Sequence, residues 1–280
     1  MSYLNRFLMM TGIGFFFVIS SATNADENGN IGPQGKLVQD FLKGEFDTSK
    51  FNLMGGITPT QTCRLDDKGL HITLPSDKPK LDNAGITFRE AIVGDFEVTA
   101  TFSIIELETS QKGTGVGLAI SMRDTSRDWA TIQRVNQQRG GNLFVAHRGI
   151  PQADGSYNSS HKSIESETMV GALRLRRNGG KLFYEVAESA DSPFFTIWES
   201  NYGTRPIVDL VFEAKRGGSP TTVDVAWEKI SLKADAISTK EKAQKTNPKW
   251  PLWTSASAAA LLVAAACGGI WVWYSKRQSR

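Results

Sequence analysis

Cysteine and histidine are scarce: the 280 residues hold two of the first and three of the second. Two cysteines build neither a disulfide scaffold nor a cysteine-based zinc site. His71, His147 and His161 lie far apart in sequence, and no two of them have metal-ligand spacing. A surplus of one charge is also missing. Four of the 32 basic residues, Arg6, Lys276, Arg277 and Arg280, sit in the terminal segments, which leaves 28 basic against 29 acidic residues in the middle. Such a balance offers no field for a nucleic acid backbone, so no nucleic acid partner is expected. No Gly-x-Ser-x-Gly elbow occurs. Gly113-Thr114-Gly115-Val116-Gly117 lacks the helix that a dinucleotide or phosphate loop needs and reads as tight sheet packing. No cofactor and no metal is implied. With 40% hydrophobic and 22% charged residues, wholesale disorder and a polytopic membrane protein are excluded.

The ends carry apolar runs. Met1–Arg6 holds one positive charge, Phe7–Ile19 is a run of thirteen residues, and Ser20–Ala25 is small and polar. Thirteen residues are too few to span a bilayer comfortably, so 1–25 reads as a signal peptide, with an uncleaved anchor as the alternative. Trp253–Tyr274 is 22 residues without a charge; at about 1.5 Å per residue it matches a hydrocarbon core of about 30 Å. Trp250 and Trp253 flank one end and Trp271, Trp273 and Tyr274 the other, as interfacial anchors do. The basic tail at 275–280 then places the C-terminus in the cytoplasm and the body outside it, periplasmic or extracellular. On this reading 26–36 is a flexible segment and 238–252 a polar stalk. Cys267 lies in the membrane and Cys63 in the exported body, so they cannot pair within one chain. Cys63 is expected to be a buried free thiol.

Between these segments, 37–237 reads as one unit of about eleven strands. Phe96, Val98, Ala100, Phe102 and Ile104 alternate with polar residues, the pattern of a half-buried strand. Val208, Leu210, Phe212 and Ala214 repeat it, as do Val223, Val225 and Trp227. After Trp227 the apolar parity slips to Ile230 and Leu232, which predicts a bulge near Glu228 or Lys229. Arg177-Asn178-Gly179-Gly180 predicts a hairpin. A short helix is expected over Lys36–Leu42 and a surface loop over His147–Met169. Many antiparallel strands with short connections predict an all-β, two-layer antiparallel sandwich.

Several runs carry a resemblance. They are Gln39-Asp40-Phe41, Glu45-Phe46-Asp47, Gly69-Leu70-His71-Ile72-Thr73-Leu74-Pro75, Gly94-Asp95-Phe96-Glu97-Val98-Thr99-Ala100 and Gly115-Val116-Gly117-Leu118. Leu173-Arg174-Leu175-Arg176, Lys181-Leu182-Phe183-Tyr184, Gly218-Ser219-Pro220 and Val223-Asp224-Val225-Ala226-Trp227 follow. In this order they resemble an uncharacterised domain family found mainly in planctomycete bacteria, over about residues 37–236. The pattern is similar to the concanavalin A-like lectin/glucanase sandwich. The resemblance implies a jelly-roll fold and carries over no functional residues.

Candidate chemistry is thin. Glu106 and Glu108 share a strand face, but no third acid completes a Glu-x-Asp-x-x-Glu set and a solvated strand end is expected. Asp124 and Asp128 read as a turn balanced by arginines. His71 is expected to face outward. Gly115, Gly117, Ala119 and Ser121 share one face and leave room for a covering layer or for a ligand. If that face is a groove, Trp129, Arg134 and His147 are the candidates to line it, because sugar rings pack on aromatics and bond through hydroxyls. The leading reading is a membrane-anchored, non-catalytic module that recognises glycan or another envelope component. A glycoside hydrolase or lyase with an unfamiliar site, and a structural envelope or receptor-subunit protein, are the alternatives.

Overall fold

The computed structural model describes residues 35–54, 62–78 and 80–245. The chain divides into two units, Met1–Gly32 and Pro33–Arg280, and every described residue belongs to the second. The predicted signal peptide at 1–25, the transmembrane helix at 253–274 and the tail at 275–280 lie outside the described residues. Among the described residues no helix is long and apolar enough to cross a membrane.

Fifteen strands make up the described body: β1 (Gly35–Asp40), β2 (Phe51–Met54), β3 (Cys63–Asp66), β4 (Gly69–Leu74), β5 (Asn83–Phe88), β6 (Ala91–Leu107), β7 (Val116–Asp124), β8 (Trp129–Gln137), β9 (Gly141–Pro151), β10 (Tyr157–Glu165), β11 (Val170–Asn178), β12 (Lys181–Ala187), β13 (Phe195–Asn201), β14 (Ile207–Lys215) and β15 (Val223–Ser238). One short helix, α1 (Lys240–Lys245), follows. All pairings are antiparallel. One layer runs β3-β4-β15-β6-β11-β12-β13, with β1 beside the C-terminal half of β15; the other runs β2-β5-β14-β7-β8-β9-β10. A single bridge, Ile207 to Ile92, joins β14 to β6. This is the all-β, two-layer antiparallel sandwich that the alternation predicts.

The alternating apolar residues face one another across the layers. Val98, Ala100 and Phe102 of β6 and Phe212 and Ala214 of β14 are fully buried. Trp227 of the first layer meets Phe212 of the second edge-on, with ring centroids 5.9 Å apart. Phe102 meets Phe144 of β9 in the same way at 6.5 Å. Each such side chain contributes about 1.5–3 kcal/mol by leaving water, and these contacts fix which sheet faces form the core. The predicted slip in β15 is a bulge at Glu228: the register passes from Trp227–Phe102 to Lys229–Thr101. The predicted hairpin turns at Gly179 (φ 58°) and Gly180 between β11 and β12.

Three local expectations are corrected and one is completed. The segment read as helix, Lys36–Leu42, is strand β1 followed by a 3-10 turn at Phe41–Lys43. The edge of β15 beyond β4 offers β1 hydrogen-bond partners, and that outweighs a weak helical spacing. The segment read as a loop, His147–Met169, holds the end of β9 and all of β10. His71 does lie on the outer face, opposite the core residues Leu70 and Ile72, but polar neighbours bury it there: its Nδ1 faces Asp66 at 2.6 Å and its Nε2 faces Asp224. Arg64 also reaches the ring, 2.6 Å from Nδ1. Finally, the first residues of the segment read as a stalk are not free of the body. Helix α1 docks Ala243 against Ala91 and Val208, and Lys240 pairs with Asp209 at 3.4 Å.

Candidate functional site

The register of the second layer sorts its residues by face. Phe212, Ile120, Ile132 and Ala146 point into the core. The opposite face therefore carries Asp209, Val211, Glu213 and Lys215 of β14; Gly117, Ala119, Ser121 and Arg123 of β7; and Trp129, Thr131, Gln133 and Val135 of β8. Val145, His147 and Gly149 of β9 continue the face, and Tyr157, Ser159 and His161 lie at the β10 edge. A cleft of about 420 Å³ lies on it, lined by Met54, Asn83, Ser121, Trp129, Tyr157 and Glu213 among others. Met54 and Tyr157 stand on strands six intervals apart, about 29 Å on a flat sheet. Their meeting in one cleft means that the sheet curls around it.

Aromatic rings form one wall. Trp129 and His147 meet edge to face with centroids 4.6 Å apart. Tyr157 stands 6.3 Å from Trp129, and His161 stands 6.0 Å from His147. The indole occupies the space over Gly149, where a Cβ would collide with it. Glycine is thus required there for the Trp129 position. Polar groups form the floor. Ser121 Oγ donates to Glu213 Oε1 at 3.1 Å, and Asn83 Nδ2 donates to Glu213 Oε2 at 2.9 Å. Ser121 Oγ also lies 3.1 Å from Thr131 Oγ1. Burial, seconded by the charges of His161 and Lys215, holds the His147 imidazole below its usual range. Burial likewise lowers the Lys215 ammonium.

Of the three residues picked from sequence, the fold brings Trp129 and His147 together and sends Arg134 elsewhere. Arg134 lies on the core-facing side of β8 with Ile132 and is fully buried. Its Nε donates to the Thr168 carbonyl at 3.1 Å and its Nη1 to the Val135 carbonyl at 3.1 Å. It ties loop backbone down and does not line the cleft. Ser121 was read from the sequence as part of the face with room for a ligand, but Glu213, Asn83 and Tyr157 were not among the candidates. Glu213 was visible as the polar side of an alternating strand, but nothing in the alternation distinguishes a cleft floor from a solvated face.

Other candidates resolve as structure. Glu106 is exposed, and Glu108 accepts the Thr222 N–H at 2.9 Å beyond the end of β6. Asp124 accepts the Ser126 N–H at 2.7 Å, so the turn is as predicted, but the arginine paired with Asp128, at 2.6 Å, is Arg148 of β9 rather than one of those within the turn. Cys63 is buried and unpaired, and burial pushes its thiol up to about 11. Among the described residues no group of three or more His, Cys, Asp or Glu side chains is placed to hold a metal ion.

The fold is shared with proteins that act on or bind sugars. A structure described with endo-acting O-glycanases of the human gut microbiota superposes with a TM-score of 0.54 at 11% identity, over 71% of this chain and 98% of that one. The GH43 protein BlXynB of Bacillus licheniformis gives 0.52 at 10% identity, over 70% of this chain but 39% of that one. LamA of Zobellia galactanivorans, in complex with laminaritriose and laminaritetraose, gives 0.50 at 9% identity, over 70% and 97%. At such identities the likeness is one of fold: a concanavalin-like sandwich. The family model described as Protein of unknown function (DUF1583) C domain matches residues 25–249, and the chain belongs to that family. No curated protein matches it.

Proposed function

We propose that the protein is a glycan-binding module, held by its C-terminal segment on the outer side of a membrane, that recognises its ligand without cleaving it. The observation that carries the reading is the cleft, where an aromatic wall of Trp129 and Tyr157, with His147 packed against the indole, stands beside a hydrogen-bonding floor of Ser121, Asn83 and Glu213. Pyranose rings present an apolar face and a rim of hydroxyls, and such a wall and floor complement both.

The carboxylates favour binding over hydrolysis. On the strands of this face the register places Asp209, Glu213 and Glu165. Asp209 and Glu213 are four residues apart on β14, about 13 Å between Cα atoms. Paired glycosidase carboxyls stand about 5–5.5 Å apart in retaining enzymes and about 6.5–9.5 Å apart in inverting ones. Asp209 is moreover engaged by Lys240, and Glu213 by Ser121 and Asn83.

A polysaccharide array probed with the full chain tests the reading, with Trp129→Ala as the comparison. Binding to one or more glycans that Trp129→Ala weakens at least about tenfold, the scale of a lost stacking contact and its area, is expected. Absence of binding across neutral, acidic and cell-wall polysaccharides overturns it. Reducing-end release that Glu213→Gln abolishes would instead make the protein a hydrolase or lyase.

A further inference from the structure

Asp209, Arg123 and Trp129 are cross-strand neighbours in one row of the face, and all three line the cleft. Arg123 and Asp209 also line a second hollow, of about 300 Å³. Its other walls come from beyond that row: Asp124 at the end of β7, Arg127 in the turn that follows, and Gln244 of α1. The two hollows are thus neighbours that share a wall. Helix α1 is fixed at this place, since Ala243 packs on Ala91 and Val208 and Lys240 pairs with Asp209 at 3.4 Å. The second hollow holds polar groups that the fold leaves unused. The side chains of Arg123, Arg127 and Gln244 have no hydrogen bond or ion pair among the described residues. Asp124 is 1% exposed; its Oδ1 accepts from Ser126 and Asp128, but its Oδ2 has no hydrogen-bond partner. Arg127 has a φ of 70°, and among the described residues no other non-glycine residue has a positive φ. That conformation is costly for an L-residue and free for glycine. The position is nonetheless an arginine, and that arginine lines the hollow. From Glu213 to Asp209 the cleft floor runs four residues along β14, about 13 Å. With the second hollow added, the groove is longer than a single pyranose ring.

We propose that the ligand is a glycan chain of several units lying along β14 and β7, and that α1 and the β7–β8 turn hold its far units. Trp129 and Tyr157 stack on the rings in the cleft. In the second hollow Arg123, Arg127 and the Gln244 amide donate to sugar hydroxyls, and the Gln244 carbonyl accepts from one. This deepens the glycan reading and rests on it. A lone sugar in the cleft would leave these three side chains to water, whereas a chain that passes over Arg123 and Asp209 meets them all.

The test uses the full chain with disaccharides and hexasaccharides prepared from each polysaccharide of the array. Calorimetry is expected to show the hexasaccharide of at least one polysaccharide binding about tenfold or more tighter than its disaccharide. Gln244→Ala and Arg127→Gly should each cut that ratio about fivefold, the scale of one lost hydrogen bond. Lys242→Ala, on the same helix but outside the hollow, should keep it. Equal affinity for the two lengths, with binding still weakened in Trp129→Ala, overturns the second hollow and leaves the glycan cleft standing. No binding to any oligosaccharide overturns both. A ratio untouched by Gln244→Ala and Arg127→Gly places the extra contacts elsewhere and also overturns it. Should these variants fail to fold, amide hydrogen exchange of the unaltered chain decides. Protection of residues 240–245 by the hexasaccharide and not by the disaccharide supports the proposal; equal protection by the two, or none, rejects it.

Discussion

Trp129 stands edge-on to His147, with ring centroids 4.6 Å apart, in the space left by the absent side chain of Gly149. A β-strand glycine across from a tryptophan thereby sets the aromatic wall of the cleft. Gly149→Ala is expected to push the indole from this position, at a cost of about 1–3 kcal/mol for the crowding. The change should appear as altered tryptophan emission and a lower melting temperature. Glycan affinity should fall with it, whereas a variant with unaltered emission and affinity would mean that the wall does not depend on Gly149.

His147 gives a pH signature. Its native imidazole is held below the ordinary 6.5 by burial and by the charges of His161 and Lys215. Below that value the unfolded chain takes up a proton that the native site resists, so this group lowers stability as pH falls beneath 6.5. Above it the residue is neutral in both states and contributes nothing. An NMR titration is expected to place the His147 midpoint under 6.5. Lys215→Met should raise it, since one of the opposing charges is gone, while burial keeps it from returning fully.

The core has one dominant side chain. Trp227 is fully buried between Phe102 and Phe212. Trp227→Ala should cost about 3–5 kcal/mol in urea or guanidinium unfolding. Trp227→Phe should cost less, because the indole N–H that it removes has no partner. Equal losses for the two variants would argue that shape rather than volume controls this site.

Cys63 is a sulfur probe of folding. Burial pushes its thiol to about 11, so at pH 8 almost none of it is thiolate, the reactive form. Alkylation by iodoacetamide should be slow in the native protein and fast in denaturant. Rapid native labelling would show that β3 opens readily.

The parts of the fold that were legible in sequence are those with one wet and one dry face. β6, β14 and β15 alternate cleanly because one side meets the opposite sheet, and the slip after Trp227 located the bulge at Glu228. β10 was missed for the converse reason. It is an edge strand exposed along almost its whole length, so Tyr157-Asn158-Ser159-Ser160 carries no apolar alternation and reads as loop. β1 was misread because Leu37, Val38 and Phe41 fit a helical spacing as well as a strand, and the free edge of β15 that decides the matter is almost 200 residues away. On the second layer, the small residues of β7 marked the face that carries the cleft. Arg134 did not, because β8 alternates Ala130, Ile132 and Arg134 against Thr131, Gln133 and Val135, and neither set is plainly the apolar one. Only the tertiary fold shows that a guanidinium on the dry side serves backbone carbonyls.

The docking of α1 joins two parts of the molecule mechanically. Ala243 grips Val208, and Lys240 holds Asp209, at the start of β14, and further along that strand stand Glu213 and Lys215. A pull on the chain beyond residue 245 is therefore delivered first to the strand that floors the cleft. If the C-terminal segment is tethered as proposed, tension on it and a bound sugar would load the same backbone, so each would alter the force the other can bear.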